Sequence, residues 1–312
     1  MRIIYIGKFD QPHSNDDEGA IAHALTTLGH DVQCVREKVG HRATGLRGDM
    51  VLFHHWDDLT AIRQFGCPKV FWYFDLVDYP DPTLTHRCEA RKNWMSGMLP
   101  VVDMAFLTDG DYVDVINNCG LYSPEKAHWL QQGVDVRVTG PGTPSINTCE
   151  SCNRKYTGTD ILFTGISKGG GEKRISFVEE MKATYGDRFL HVERKIHGRD
   201  LANLIADSKI VVCPDSPVTD KYWSNRVYLM LGFQAFVLHP YTKGLADQYG
   251  MSGGIMAYHD RRQLHDWIRD YLQLDESRSI VAKAGYDETM KNHTYIKRCE
   301  KLIDTVKQQL KI

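Results

Sequence analysis

The feature that most constrains the fold is an alternation of short, continuous apolar runs with helical stretches. Six such runs occur in the first part of the chain: 2–7, 31–35, 49–54, 69–74, 104–108 and 128–132. Between the first two, a helix is predicted from about Glu18 to Leu28, where Gly29 follows. Continuous apolar strands that alternate with helices indicate a parallel sheet covered on both faces.

A second series with the same alternation follows residues 136–159, which are rich in Gly, Pro, Ser, Thr and Asn. Its predicted strands are 160–165, 189–194, 209–214, 235–240 and 254–258. Its predicted helices are 172–184, 199–206, 224–233 and 244–249. The tail at 262–312 is predicted to be helical, with a break at Gly285.

Both series together predict an α/β protein of two Rossmann-like, doubly wound domains that face a central cleft. The predicted N-terminal domain is 1–140, the linker 141–159 and the C-terminal domain 160–292. A final helix, 293–312, is expected to pack back toward the N-terminal domain. Open α/β sheets bind ligands at the carboxyl ends of their strands, and the polar residues of this chain cluster there.

Charge and length limit the classes of partner. The 312 residues fit two domains of ordinary size. The formal net charge is -2, from 38 basic and 40 acidic side chains, so nucleic acid or an anionic membrane would have to meet a local patch. The N-terminal apolar run ends at Gly7 and Lys8, which is typical of neither a signal peptide nor a membrane span. We therefore expect a cytoplasmic protein.

Cys149 and Cys152 form the one closely spaced cysteine pair among eight cysteines. A structural zinc needs four ligands, and no second CxxC or HxxxH motif stands nearby. His128 or Cys119 would have to complete such a site. Zinc, a redox pair and a surface linker pair stay open as interpretations, and no metal site is predicted.

The turn after the first strand of the second series reads GISKGGGEKR, residues 165–174. Consecutive glycines let the backbone approach a ligand, and the following helix offers free N–H groups and a positive dipole end. Cationic side chains stand at the same place. The predicted diphosphate contacts are Gly165, Lys168, Gly170, Lys173 and Arg174. A merely flexible basic turn is the alternative, because glycine loops alone are weak signals.

The second candidate segment, 213–240, runs strand, polar loop, helix, strand. Its loop is expected to bring four polar residues to the start of the helix, where the dipole end is positive. These residues are Lys221, Ser224, Asn225 and Arg226.

The run KIVVCP…SNRVYLMLGFQAFVLHPYTKGLADQYG…IMAYHDRRQLHDWIRDYL resembles the C-terminal domain of group 1-like glycosyltransferases, particularly the spore-coat-maturation type. The resemblance covers about residues 160–275. It implies a GT-B, metal-independent hexosyl or pentosyl transferase. The C-terminal domain would bind a nucleotide sugar, expected to be a UDP-sugar, as co-substrate without a further cofactor. The N-terminal domain would bind the acceptor.

Two positions depart from the pattern of these glycosyltransferases. Many relatives carry a glutamate three residues after the arginine, which contacts the nucleotide ribose, whereas this chain has Leu229. Ribose recognition must then be supplied differently. The small residue usually found before the next strand is replaced by Gln234, which is a milder change.

An inverting transfer needs a base near the acceptor hydroxyl. Asp75, at the end of the fourth strand, is the leading candidate because its position resembles that of the base in phage DNA β-glucosyltransferases. Asp78 and Asp17 are the other carboxylate candidates. Asp75 could instead form a turn, and Asp17 could cap the first helix.

A basic stretch with an aromatic residue follows Asp75 and is typical of contacts to a nucleic-acid backbone and bases. The predicted acceptor contacts are His13, His54, His55, Arg87, Arg91, Lys92 and Trp94. The alternatives are a solvated helix face with Trp94 in the core, and buried, satisfied histidines.

Short phrases at the strand ends, WYFD and FLTDG, are similar to virus-associated glycosyltransferases, some of which modify hydroxymethylated bases in phage DNA. A hydroxymethylcytosine in double-stranded bacteriophage DNA is therefore the leading acceptor hypothesis, and the location would then be the host cytoplasm. A polysaccharide, cell-wall or spore-coat acceptor and a non-catalytic nucleotide-sugar-binding protein are the alternatives. A dinucleotide-binding dehydrogenase is disfavoured, because GKFDQP after the first strand lacks the required glycine spacing.

Overall fold

The computed structural model describes residues 1–9, 17–79, 85–123, 125–143, 147–149, 154–156, 159–167, 171–193, 196–214, 219–250 and 253–311. The chain forms two compact units. The first comprises Met1–Gly133 with Tyr295–Ile312, and the second comprises Val134–Thr294.

The first unit contains an all-parallel sheet of six strands in the order β2-β1-β3-β4-β5-β6. The strands are β1 (Arg2–Gly7), β2 (Asp31–Arg36), β3 (Met50–Phe53), β4 (Lys69–Tyr73), β5 (Met104–Leu107) and β6 (Ala127–Trp129). The helices between them are α1 (Asp17–Thr27), α2 (Leu59–Gln64), α3 (Thr85–Met98) and α4 (Gly110–Asn118).

The inner strands of this sheet are buried on both faces, as the continuous apolar runs predict, whereas the edge strand β2 is largely exposed. Along β1, Ile4 and Ile6 belong to one core cluster, whereas Ile3 and Tyr5 belong to the cluster on the opposite face. Because side chains alternate across a strand, every residue of a strand that is covered on both sides must be apolar.

The predicted sixth strand, 128–132, is wrong at its end. The strand stops at Trp129, which pairs with Leu107, the last residue of β5. The amide of Leu130 donates to the carbonyl of Leu107, and β5 offers no further partner beyond this residue. The chain therefore leaves the sheet where its neighbour ends.

The second unit contains a five-stranded parallel sheet in the order β10-β9-β11-β12-β13. Its strands are β9 (Ile161–Thr164), β10 (Phe189–Val192), β11 (Ile210–Val212), β12 (Val237–Pro240) and β13 (Met256–Tyr258). Within the predicted linker, β7 (Asn147–Cys149) and β8 (Arg154–Tyr156) form an antiparallel pair. Cys149 thus lies in a strand, and Cys152 lies outside the described residues.

The helices of the second unit are α5 (Gly171–Tyr185), α6 (Gly198–Ala206), α7 (Arg226–Gly232), α8 (Lys243–Tyr249), α9 (Arg261–Tyr271) and α10 (Asp275–Asn292). The predicted break at Gly285 is wrong, because α10 runs through this residue and ends at Asn292. Gly285 instead faces Gly254, and a Cβ atom on Gly254 would lie inside the backbone of Gly285. Close packing, rather than helix termination, therefore requires this glycine.

Helix α11 (Tyr295–Leu310) returns to the first unit. Its apolar face packs on the sheet beside α1. Five side chains of this face are buried, namely Tyr295, Cys299, Leu302, Ile303 and Val306.

Gln234 stands where the resemblance described above led us to expect a small residue. It adopts φ 62°, in the left-handed region. The amide of Gln234 donates to the carbonyl of Leu231, and that of Ala235 donates to the carbonyl of Met230. This pair of bonds is the Schellman motif that ends many helices, and glycine is the residue that usually occupies the left-handed position.

Candidate functional site

The site begins with the strand order of the second sheet. β9 lies between β10 and β11, so the chain leaves β9 toward one side of the sheet and later continues on the other side. This topology is expected to open a crevice at the carboxyl ends of β9 and β11. Ligands of open α/β sheets bind at this kind of switch point. The segments that follow these two strands contain Gly165 and Arg226, both of which the sequence predicted as donor contacts.

The structure brings Gly165 and Arg226 into contact. Gly165 has φ 148°, and a Cβ atom there would lie 2.7 Å from Nη2 of Arg226. The guanidinium carbon of Arg226 lies 5.5 Å from the centroid of the Phe163 ring, at a distance typical of a cation–π contact. The backbone conformation favours glycine here, and the guanidinium occupies the space where a side chain would begin.

Two buried polar atoms beside this contact have no hydrogen-bond partner in the described part of the chain. They are Nη1 of Arg226 and Oδ1 of Asn225. A buried donor or acceptor left without a partner costs about 1–3 kcal/mol, and more when it is charged. A fixed guanidinium with a bare N–H suits an anion such as a diphosphate.

Two amides at the start of α7 already have hydrogen-bond partners. The amide of Arg226 donates to Oγ of Ser224 at 3.3 Å, and the amide of Val227 donates to the carbonyl of Ser224. These N–H groups are therefore already occupied, so the ligand-binding capacity of this segment lies in its side chains.

The remaining predicted donor residues are placed as follows. Lys173 is exposed near the start of α5, and Nη1 of Arg174 donates to the carbonyl of Ile166 at 3.3 Å. Lys221 is half-buried. Lys168 and Gly170 lie outside the described residues.

His191, which the sequence did not single out, supports the Gly165 turn. Its Nε2 is 2.8 Å from the carbonyl oxygen of Gly165, and its ring stacks on Phe163 at 4.9 Å between centroids. In the sequence, His191 is a polar residue inside the predicted strand FLHVER, which could have marked it as a candidate. Its contact lies on a neighbouring strand, which sequence spacing does not reveal.

In the first unit, the candidate base is part of an ion pair. Oδ2 of Asp75 lies 3.4 Å from Nη2 of Arg91, and Nη1 of Arg91 donates to the carbonyl of Leu76 at 2.7 Å. Oδ1 of Asp78 lies 3.1 Å from Nζ of Lys92. Both predicted base candidates therefore contact a cation that was predicted to contact the acceptor.

The ring of Trp94 packs on the core of the first unit, 5.3 Å from Phe71 and 5.1 Å from Tyr73. The side chain is half-buried, so its role as an acceptor contact stays a prediction. Arg87 is exposed on α3.

His54 is buried, and both of its ring nitrogens are engaged. Nδ1 lies 2.7 Å from the carbonyl oxygen of Trp72 and therefore donates. Nε2 then accepts from the hydroxyl of Tyr5 at 2.5 Å. Burial lowers the pKa of His54 to about 3. The prediction of His54 as an acceptor contact is wrong, because the side chain is fully enclosed and satisfied.

We expect this histidine to make the protein acid-sensitive. Its pKa rises from about 3 in the folded chain to the ordinary value of 6.5 on unfolding, so the unfolded chain binds the extra proton. The stability is present above pH 6.5 and is lost as pH falls toward 3, by about 2 kcal/mol between pH 6.5 and 5. Urea unfolding at both pH values measures this loss. The variant His54→Gln keeps polar groups but does not titrate, so its free energy of unfolding should fall by about 2 kcal/mol less between these pH values than that of the wild type. If the free energy of unfolding depends on pH equally in the variant and the wild type, the assignment is contradicted.

His55 lies nearer to the candidate base. Its ring is 6.2 Å from Tyr73 and 6.3 Å from Phe74. Burial lowers the pKa of His55, Lys8 and Arg91 lower it further, and Asp75 opposes them. His55 is thus a neutral imidazole at neutral pH beside the carboxyl end of β4.

Asp17, the third carboxylate candidate, is held by other side chains. Oδ1 accepts from the hydroxyl of Tyr295, and Oδ2 accepts from Nε2 of Gln132 at 2.9 Å. These bonds tie α1 to α11 and to the segment after β6, so Asp17 contributes to the packing of the unit, and its role as a base stays a prediction. His13 lies outside the described residues.

Asp109 is the residue that organises the loop after β4. Oδ1 accepts from the amide of Tyr112 at 3.0 Å and caps α4, while Oδ2 accepts from the amide of Val77 at 2.9 Å. The side chain is fully buried, and burial raises its pKa despite these hydrogen bonds. The sequence FLTDG places Asp109 at the end of a predicted strand. Its contact with the loop that contains Asp78 is evident only from the folded structure.

Within the described ranges, no group of three or more His, Cys, Asp or Glu side chains is arranged to hold a metal ion. In the same part of the chain, no helix is both long and apolar enough to cross a membrane.

The comparisons with known proteins agree with this geometry. Residues 168–304 match the Glyco_trans_1_2 family, described as glycosyl transferase-like, which is less than half of the chain. The match includes Arg226 and the strands around it. No curated protein sequence matches the chain significantly.

Solved structures with similar folds cover the whole chain. Sucrose-phosphate synthase from Thermosynechococcus elongatus superposes with a TM-score of 0.69 at 11% identity, over 100% of both chains. The two units have the GT-B fold. HepE from Anabaena in complex with UDP-glucose gives a TM-score of 0.61 at 10% identity, over 99% of this chain and 100% of that one. An E. coli trehalose-6-phosphate protein bound with UDP-2-fluoro glucose gives 0.66 at 12% identity, over 99% of each chain.

Proposed function

We propose that this protein is a glycosyltransferase that takes its sugar from a nucleotide-sugar donor bound by the second unit. The observation that carries the proposal is the Arg226 guanidinium, which rests on Gly165 with a buried, unpartnered Nη1 in the described structure. It lies at the switch point of a GT-B sheet, within residues that match a glycosyl transferase-like family. HepE, which shares the fold, was solved with UDP-glucose, and a UDP-sugar is accordingly the first donor to test.

In the proposed reaction, the bond between the anomeric carbon and the diphosphate oxygen breaks, and a bond from this carbon to an acceptor oxygen forms. Arg226 would stabilise the negative charge that develops on the leaving diphosphate. The proton of the acceptor hydroxyl needs a base if configuration inverts. Asp75 stays the proposed base, with Arg91 orienting its carboxylate and His55 nearby as a neutral imidazole.

The acceptor stays open. DNA was predicted from a run of cations and Trp94, but Arg91 and Lys92 contact carboxylates and Trp94 packs on the core. These contacts reduce the positive charge of the stretch and leave the Trp94 ring only partly exposed, so they do not favour DNA. Metal independence and a cytoplasmic location are likewise predictions.

The test is release of free nucleoside diphosphate. The protein is incubated with UDP-glucose, GDP-mannose or ADP-glucose, each with water alone, hydroxymethylcytosine DNA or a glycan panel. The same reactions are repeated with a chelator. We expect release with one donor, which the chelator does not abolish, and a mass shift on the true acceptor.

Asp75→Asn separates transfer from binding, because it removes the proposed base and leaves the second unit unchanged. Its donor affinity should equal that of the wild type while release falls at least a hundredfold. Donor binding by the wild type without release, across all acceptors, would favour a non-catalytic binder. Absence of binding to every donor would reject the proposed function.

A further inference from the structure

The hydroxyl of Thr242 is buried and forms no hydrogen bond with the described residues around it. Thr242 is 2% exposed and precedes α8 at the N-cap position. A threonine there normally accepts a hydrogen bond from an amide of the first helical turn. Here the side chain makes no such bond, and Oγ1 is buried with no partner among the described residues.

Thr242 belongs to the same edge of the sheet as Arg226. It follows the carboxyl end of β12, and α7 begins at this edge because it connects β11 to the parallel strand β12. The amide of Gly244 donates to the carbonyl of Asp220 at 2.9 Å, which joins the start of α8 to the loop before α7. The hydroxyl of Tyr228 donates to Oε1 of Gln248 at 2.5 Å and joins the two helices.

Four buried side-chain atoms without partners in the described structure therefore occur on these two connected loops. They are Oγ1 of Thr219, Oδ1 of Asn225, Nη1 of Arg226 and Oγ1 of Thr242. One is cationic and the other three are neutral. A diphosphate satisfies the guanidinium but has no proton to donate to the amide oxygen of Asn225.

We propose that Thr242, with Asn225, binds ring hydroxyls of the nucleotide-sugar donor. Sugar hydroxyls both donate and accept, so they suit the threonine hydroxyl as well as the asparagine oxygen. This inference rests on the proposed function and deepens it. These two side chains also offer contacts to the nucleotide ribose, for which Leu229 cannot substitute for the glutamate expected from the resemblance. The hydroxyls belong to either the ribose or the transferred hexose, which share this chemistry.

Thr242→Val and Thr242→Ser form the matched pair that tests the proposal. Valine keeps the shape and removes the hydroxyl, whereas serine keeps the hydroxyl. Calorimetry measures the affinity of each variant for UDP and for UDP-glucose, and thermal unfolding is recorded without ligand. We expect Thr242→Val to bind UDP-glucose about tenfold more weakly, the effect of one lost hydrogen bond in a desolvated site, and Thr242→Ser to bind it as the wild type does.

The two ligands identify the source of the hydroxyl. An equal loss for UDP and UDP-glucose assigns it to the ribose, and a loss confined to UDP-glucose assigns it to the hexose. The unfolding temperature of Thr242→Val should equal or exceed that of the wild type, because no bond is lost in the free protein. A clear drop in this temperature with unchanged affinities would make Thr242 structural and overturn the proposal. Wild-type protein that binds neither UDP nor UDP-glucose would overturn it as well, whereas bound ligands with unchanged Thr242→Val affinities would reject only this inference.

Discussion

Arg226→Ala should lower the affinity for UDP-glucose about a hundredfold. A hydrogen bond to a charged group contributes about 1.5–3 kcal/mol, and a guanidinium facing a diphosphate makes more than one. Arg226→Lys keeps the charge but not the planar fork, so we expect an intermediate loss of about tenfold. Isothermal titration calorimetry with UDP-glucose measures both.

Arg269→Ala is the matched control, because it removes the same charge from the same unit. Arg269 lies in the last turn of α9, a helix that starts after the carboxyl end of β13 and runs back toward the other edge of the sheet. Its side chain is 68% exposed. The control should bind UDP-glucose as the wild type does. Equal affinities for Arg226→Ala and the wild type would remove the arginine from the donor site.

Gly285→Ala should destabilise the protein by more than about 3 kcal/mol, the range in which overpacking forces the backbone to move. A Cβ atom at Gly285 would lie against the carbonyl oxygen of Gly254 and 2.8 Å from Cδ2 of Leu231. Helix propensity alone predicts the opposite sign, a gain of about 1 kcal/mol for alanine within a helix. Urea unfolding of the second-unit transition therefore decides between packing and propensity.

Gly66→Ala provides the comparison. Gly66 is exposed, and a Cβ atom there would meet nothing within 4 Å. We expect a change of at most about 0.5 kcal/mol, typical of a surface substitution. A stabilised Gly285→Ala variant would show that α10 does not approach Gly254 as closely as the structure has it.

The fold could be predicted from the sequence because the inner strands of both sheets are covered on two faces. The side chains of β1 alternate between two cores, as Ile3, Ile4, Tyr5 and Ile6 show. Such a run of apolar residues can be recognised in the sequence without knowing which strands lie next to it. The prediction failed where a feature depends on a contact with a residue that is distant in the sequence. Strand β6 stops where β5 stops, and Gly285 is required by Gly254, thirty or so residues earlier in the chain.

The candidate site was predictable in part for the same reason. Gly165 and Arg226 were identified because glycine after a strand and a cation before a helix are local signals. In the first unit, the contacts of the charged and aromatic residues involve residues that are distant in the sequence, so local signals did not reveal them. Arg91 on α3 contacts Asp75, which follows β4, and Trp94 on α3 packs on Phe71 of β4. Thr242 resembles an ordinary N-cap in sequence, and its unused hydroxyl becomes evident only from the structure.

The position of α11 has a consequence for the order in which the chain is made. The six strands of the first unit leave the ribosome well before Leu302 and Val306, which cover one face of their sheet. In the interval, the whole second unit is synthesised while that apolar surface stays open to water and to other chains. Domains usually complete themselves in the order of synthesis, and incomplete ones aggregate. Here the domain begun first is finished last, which makes the nascent chain a natural client for chaperones.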